Sequence, residues 1–419
     1  MLKLLSLVYI IFFCFSVSAN KKNPSPIKNG DWTGRLQLTT KDYLPFKFRV
    51  EKTNKNKNST VFQFSIINGN EVILLKYITL EEDSLRIEFP SFNSQLILKA
   101  SSAKELIGYW QNFNKGVNYK IPCIISFGYT NRFSNPKLLV SNFQPAKFNG
   151  KWETTFEPNT EDSYKALGVF KQNYTDIEGT FLTETGDYRF LEGNVIQDSL
   201  YLSCFDGSHA FLFSGKINNG KIDGRFFSGK HWETNWIASQ NEEFKLIHPD
   251  SLTRVINEQP ITFMLKDLNG VDFIFPNEQF KNKVIIIQIM GTWCPNCMDE
   301  TRYLKDLYST YHQNGLEIIS IGYEVGETFE EHAAKIKKLK ERFSLDFTFL
   351  VGGKANKDLA SQQFNMLSRI ISFPTAIIIG KDGLVKKIHT GFNGPGTDEY
   401  YIDFIHSDEL FIKSLLFDN

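Results

Sequence analysis

The sequence predicts a chain in two parts. An all-β N-terminal region, made of two repeated barrel- or sandwich-like units, precedes an α/β domain with a parallel sheet core. Three observations predict this. Short stretches of alternating polarity, separated by turn residues, run from residue 31 to about 240. Strand and helix patterns then alternate from about residue 258 onward. The most apolar of those later strands, 284–290, leads directly into Trp293-Cys294-Pro295-Asn296-Cys297.

Length and composition set the limits. At 419 residues the chain is long enough for two or three domains, and 42% hydrophobic residues exclude a disordered chain. Lys and Arg number 47 and are matched by 47 Asp and Glu, with no basic block. This balance gives no electrostatic reason for a nucleic-acid partner.

The first nineteen residues read as a secretory signal peptide. Lys3 precedes an apolar run over 4–15, and Val17 and Ala19 place small residues at a cleavage site after Ala19. The run is too short to span a membrane, and no later run is longer, so no membrane span is expected in the mature chain. Cys14 lies inside the run, where a lipid anchor is conceivable, but Phe12-Phe13 is too bulky for the usual lipoprotein cleavage site. The expected destination is the periplasm or cell envelope.

Residues 20–30 are polar, with two prolines, and read as a tether. Strands are expected over 31–38, 46–50, 61–66, 72–78, 85–89 and 95–98, with turns at Asn68-Gly69 and Asn219-Gly220. Three segments repeat in the same order. Asn29-Gly30-Asp31-Trp32 matches Asn149-Gly150-Lys151-Trp152, Ser84-Leu85-Arg86-Ile87 matches Ser199-Leu200-Tyr201-Leu202, and 106–110 matches 222–226. They divide the region into β units over 20–145 and 146–240. The Gly-x-Trp opening each copy resembles the first-strand motif of lipocalin-like barrels, and Trp32 and Trp152 are expected to plug the cores. A β-sandwich fits the strand pattern nearly as well.

Residues 241–257 read as a linker and 258–419 as the α/β domain. A hairpin is expected from 262–265 and 271–275 around Asn269-Gly270. The unbroken apolar strand 284–290 fits a sheet covered on both faces. Leu304, Leu307, Tyr308 and Tyr311 mark a following helix, and Phe329, Ala333, Ile336, Leu339 and Phe343 a second. Further strands are expected over 316–321, 347–351, 376–379 and 384–388, with a short helix over 357–366.

Cys-x-x-Cys at the start of a helix puts two sulfurs on one turn, where they can close a disulfide. Cys294 at the helix N-terminus meets unpaired amides and the positive end of the dipole, which favours its thiolate as attacking group. Cys297, one turn deeper, would resolve a mixed disulfide. A structural disulfide in so short a loop would add little stability. A zinc site lacks its other ligands. Neither a metal nor an organic cofactor is expected.

The domain resembles the thioredoxin superfamily, and within it the TlpA/ResA-type exported thiol–disulfide oxidoreductases. The resemblance covers about residues 258–419. It rests on the strand 284–290, on Trp293-Cys294-Pro295-Asn296-Cys297, on Phe373-Pro374-Thr375, on the strand and helix inserted between these sites, and on 389–396. It implies a cis Pro374 facing the dithiol, with Trp293, Pro295, Phe373 and Pro374 contacting substrate. Thioredoxin carries a buried acid six residues before the first cysteine, where this sequence has Gln288. Some exported reductases place an acid three residues after the second cysteine, which here is Glu300. That residue reads either as the proton acceptor for Cys297 or as a surface acid of the first helical turn. Glu324, at a strand end, is expected to border the site. The family's Gly-Pro pair is Pro295-Asn296 here, so reductant and oxidant remain open.

The expected partners are a client protein with a disulfide and an electron-donating thiol partner. A peroxidase on the same fold is an alternative, as is a binding protein whose β units act while the redox domain docks. Cys123 and Cys204 read equally as a bridge between the β units or as buried free thiols.

Overall fold

The computed structural model describes residues 27–56, 59–129, 131–133, 144–256 and 260–417. The expected signal peptide, with Cys14, lies outside the described residues. Three sheets follow one another along the chain.

The first is a nine-stranded antiparallel meander between Gly30 and Phe127. Its first strand, Gly30–Gln37, pairs with both Tyr43–Asn56 and Lys120–Phe127, which curls the sheet into a nearly closed barrel. The two outermost strands, Glu71–Leu75 and Tyr77–Glu81, are separated in sequence by Lys76 alone. The alternation over 72–78 suggested one strand there; the structure breaks it at Lys76.

The second sheet closes completely. Gly150–Phe156 pairs with Tyr164–Asn173 on one side and Trp232–Gln240 on the other. Tyr164–Asn173 continues to Asp176–Thr183, so an eight-stranded antiparallel ring forms. A sandwich is excluded for this unit. Closure removes the unpaired edges that would otherwise template aggregation. A two-residue strand, Gly186–Asp187, hangs on the ring, paired with Leu182–Thr183.

The repeated residues occupy equivalent places. Trp32 and Trp152 sit on the first strand of each unit, fully buried. Each indole Nε1 donates to the carbonyl four residues earlier, Lys28 at 3.1 Å and Phe148 at 2.8 Å, which satisfies the polar edge of a buried ring. Phenylalanines fill the interiors: in the second barrel Phe213 stacks on Phe226 at 4.2 Å between centroids, and Phe181 meets Trp236 edge-on at 5.3 Å.

The third sheet has seven strands. Val284–Met290, Leu316–Glu324 and Thr348–Lys354 are parallel neighbours in its centre. Thr375–Ile379 and Val385–Thr390 extend it antiparallel on one side, and Phe263–Asp267 with Asp272–Phe275 on the other. Every residue of Val284–Met290 is buried, as its unbroken apolar pattern requires. Helices α1 (Pro295–Tyr311) and α2 (Phe329–Phe343) pack on Leu316–Glu324. Thr328 and Glu331 close a capping box at the start of α2. A short α3 (Lys357–Gln363) and a long α4 (Glu399–Phe417) complete the domain. The sequence reading assigned nothing to α4, whose aromatic-rich pattern is too apolar all round for one face to stand out. No helix among the described residues is long and apolar enough to cross a membrane. The segment after Gln240 is docked: His389 Nδ1 lies 2.6 Å from Asp250 Oδ1, and Thr390 Oγ1 donates to Thr253 Oγ1 at 2.9 Å.

Cys123 and Cys204 are both free and buried, one in each barrel wall, so no bridge joins the β units. Burial pushes both thiols well above the ordinary range.

Polar and aromatic pins hold the three parts together. Phe205 of the second barrel enters the core of the first, between Phe46 (4.8 Å), Phe89 (5.5 Å) and Trp110 (5.2 Å). Arg132, also buried, donates to the Ile67 carbonyl at 2.7 Å and to Glu192 at 2.8 Å. Arg342 of α2 reaches Glu88 at 2.8 Å and the Phe89 carbonyl at 3.0 Å. At the junction of all three lies Arg189, 3% exposed. It ion-pairs with Glu71 of the first barrel (3.2 Å), Asp206 of the second (3.3 Å) and Asp299 of α1. Burial opposes its charge, but these acids hold its pKa well above the ordinary value.

Removing a buried cation strands its partners, a loss of roughly 3–5 kcal/mol. Arg189→Leu should therefore lower the thermal unfolding midpoint clearly, whereas Arg225→Leu at an exposed Arg225–Glu233 pair should change it little. Differential scanning calorimetry of the two variants checks this.

Candidate active site: a dithiol at a helix N-terminus

The apolar strand Val284–Met290 delivers the chain to a turn over 291–294, and Cys294 becomes the N-cap of α1. Its backbone is extended (φ −98°, ψ 115°), and Pro295 follows at the first helical position, where its missing N–H costs nothing. The Cys294 sulfur does what an N-cap oxygen usually does. Sγ accepts the amide of Cys297 at 3.2 Å. Its own proton, when present, points to the Phe373 carbonyl at 3.5 Å. The Phe373–Pro374 bond is cis, and Phe373 is packed edge-on against Trp293 at 6.0 Å. The two cysteines, Trp293, Pro295 and the cis-proline pair thus converge on one spot.

Cys294 is 7% exposed and Cys297 is completely buried. Burial, then the neighbouring Cys294, pushes the Cys297 thiol well above its ordinary value. Such a thiol reacts only after something removes its proton. The candidate acceptor lies one turn further along α1. Glu300 is 2% exposed, so it is not a surface acid of the first turn. Burial raises its carboxyl to about 8. Gln288 Nε2 donates to Glu300 Oε2 at 2.8 Å and to Thr301 Oγ1 at 3.1 Å. Gln288, where the resemblance to thioredoxin expects an acid, therefore binds the Glu300 carboxyl with its amide.

A second buried acid fixes the approach to the motif. Glu324, completely buried at the end of Leu316–Glu324, accepts the Thr292 amide at 2.8 Å and the Thr292 hydroxyl at 2.7 Å. Its carboxyl is raised to about 7, again by burial. Trp293 Nε1 donates to the adjacent Tyr323 carbonyl at 2.9 Å. Glu324 thus borders the site and holds the loop before Cys294 in place.

The sequence reading missed the residues that come from outside this domain. Asp187, on the short strand of the second barrel, accepts from Asn296 Nδ2 at 2.9 Å and from the Gly394 amide at 2.7 Å. Asn296 stands between the two cysteines. Ser208, from a barrel loop, donates to the Trp293 carbonyl at 3.3 Å. Gly391 has φ +83°, and a Cβ there would lie 2.4 Å from the Thr185 carbonyl oxygen, so only glycine lets the barrel approach. No local pattern marks Asp187 or Ser208, because their partners lie about a hundred residues away. Among the described residues, no group of three or more His, Cys, Asp or Glu side chains is arranged to hold a metal ion.

A central parallel sheet, a Cys-x-x-Cys at a helix N-terminus and a cis-proline beside it define a thioredoxin-like redox domain. Residues 259–402 match the Redoxin family and form a redoxin domain. The thiol–disulfide oxidoreductase ResA of Geobacillus thermodenitrificans is 33% identical over 129 residues, which are 31% of this chain and 66% of that protein. ResA of Halalkalibacterium halodurans is 27% identical over 34% of this chain and 71% of its own length. The chain thus spans about two thirds of these relatives. A thiol:disulfide interchange protein of the thioredoxin family from Chlorobium tepidum TLS aligns at 20% identity with a TM-score of 0.29, covering 39% of this chain and 97% of that one.

Glu300 and Glu324 are carboxyls with raised pKa values. In the unfolded chain they ionise near 4.5; in the fold they stay neutral until about 8 and 7. Stability from these groups is complete below the unfolded value and is lost as pH rises through the folded ones. The melting temperature should fall between pH 5 and pH 8.5, and Glu300→Gln should fall less steeply. Thermal scans at fixed ionic strength check the slopes.

Proposed function

We propose that the chain is an exported thiol–disulfide oxidoreductase that reduces disulfides of client proteins. The observation that carries this reading is the Cys294 sulfur capping α1 beside the cis Phe373–Pro374 bond, with buried Cys297 and Glu300 behind it. Export rests on the signal-like residues 1–19.

The Cys294 thiolate attacks one sulfur of the client disulfide. The client S–S bond breaks, its other sulfur leaves as a thiolate, and a mixed disulfide joins Cys294 to the client. Before attack, the negative charge of the Cys294 thiolate sits where the Cys297 amide and the helix dipole favour it. Glu300 then takes the Cys297 proton. The Cys297 thiolate attacks Cys294 Sγ, the client leaves as a dithiol, and the enzyme keeps the disulfide. Two electrons have passed from enzyme to client. An electron-donating thiol partner restores the Cys294–Cys297 dithiol, because the compartment is oxidising.

A carboxylate whose proton binds with a pKa of about 8 is better matched to a thiol than an ordinary glutamate. The pH profile for resolution should contain a rise near pH 8 that Glu300→Gln lacks. Cys297→Ala should accumulate the mixed disulfide with client, and Cys294→Ala should form none; non-reducing gels after thiol alkylation separate these outcomes. Equilibration against glutathione and dithiothreitol buffers measures the potential of the pair. A value near thioredoxin's, about −270 mV, fits a reductase, and one near about −120 mV makes the protein an oxidant and overturns the reducing direction.

A further inference from the structure

The surface next to the motif is walled mainly by the second barrel. A cleft of about 650 Å³ opens beside the dithiol, and nine of its twelve lining residues, 163–165 and 183–188, belong to the barrel. Only Asn296, Ser372 and Phe373 come from the redoxin domain. Its size falls in the range of specific ligand sites.

The barrel wall is held rigidly against the motif. Asp187 takes the Asn296 amide, and a Cβ added at Gly186 would lie 3.1 Å from that same amide nitrogen. Tyr164 and Tyr188 share a hydrogen bond at 2.6 Å between their hydroxyls, and each ring stacks on Phe156, at 5.1 and 5.4 Å. Both rings are therefore fixed, and both residues line the cleft. Gly186–Asp187 stands at the end of its sheet order, paired on one side only. Across the cleft, the main chain of Ser372 and Phe373 precedes the ladder that begins at Thr375.

We propose that this rim of the second barrel is the client-recognition wall of the enzyme. Its occupant is an extended polypeptide segment flanking the client disulfide. The segment runs between Gly186–Asp187, a strand paired on one side only, and Ser372–Phe373, which precede the ladder at Thr375, as in strand addition to a sheet edge. The Tyr164 and Tyr188 hydroxyls give it further polar contacts. Lys165, paired with Glu153 at 2.8 Å, stands on the same wall as Glu184 and Asp187, so strongly acidic segments are not favoured as a class. The inference rests on the dithiol reading above and gives its client a shape: a disulfide carried on a strand-like, accessible stretch of chain.

The test compares two oxidised substrates of the full-length protein. One is a synthetic peptide with a single disulfide in an extended sequence; the other is oxidised glutathione, which is too short to line the cleft. Two variants are made, Thr185→Arg to obstruct the cleft and Tyr164→Phe to remove one hydroxyl without changing shape. The peptide-to-glutathione rate ratio should drop about tenfold or more in Thr185→Arg, and by a few fold in Tyr164→Phe, about one hydrogen bond's worth. A ratio unchanged in both variants overturns the inference and leaves the dithiol reading standing. A glutathione rate that falls more than the peptide rate also overturns it, because the cleft would then serve a small thiol compound. Wild-type protein that exchanges with neither substrate overturns the dithiol reading itself.

Discussion

One buried guanidinium organises this molecule. Arg189 is carried by the second barrel, yet its acids come from all three parts of the chain: Glu71, Asp206 and Asp299. A charge removed from water is tolerated only when it is matched in place. The acids answer the same field differently. Burial opposes ionisation of Asp206, but His209 and Arg189 hold it down at about 2. Glu71 is raised by burial, with Arg189 opposing. Asp299 lies two residues beyond Cys297 on α1. The helix that carries the dithiol is therefore tied by one ion cluster to both barrels, and the barrels are placed by electrostatics as much as by apolar packing.

Within the redoxin domain the arrangement is one of nested burial. Cys294 is nearly covered, Cys297 is behind it, and Glu300 and Gln288 are behind that. Each step inward removes water, so the Cys297 thiol and the Glu300 carboxyl hold their protons more tightly than in water. Glu324 works from the side, fixing Thr292 rather than meeting the sulfurs. The two acids share a cause for their raised values and differ in what they touch.

The redoxin domain was readable because its signals are local. An unbroken apolar strand, a Cys-x-x-Cys and a Phe-Pro-Thr each announce themselves within a few residues, and the structure puts all three side by side. The barrels were half readable. Alternation marked the strands, and the repeated tryptophans marked equivalent places, but closure depends on pairing between Gly150–Phe156 and Trp232–Gln240, about eighty residues apart. Glu300 could be read two ways because helical position alone does not say which face is covered. Only the neighbouring Gln288 and the sheet beneath decide it. Asp187 and Arg189 were silent, since a short Gly-Asp-Tyr-Arg stretch in a turn looks like any polar loop. α4 was missed because a helix apolar on most faces has no period to detect.

The cap of α1 has a consequence for the whole chain. Most helices are capped by an oxygen that never changes; this one is capped by the sulfur that the proposed reaction trades. A thiolate accepts an amide proton well, and a disulfide sulfur accepts it poorly. In the proposed exchange, closing the disulfide replaces a strong acceptor by a weak one at the first turn of a helix whose second turn, through Asp299, anchors both barrels. By thermodynamic linkage, whatever the sulfur contributes to the fold in the reduced state it also contributes to the protein's affinity for electrons. Folding stability and redox poise are two readings of one cycle, joined at a single atom.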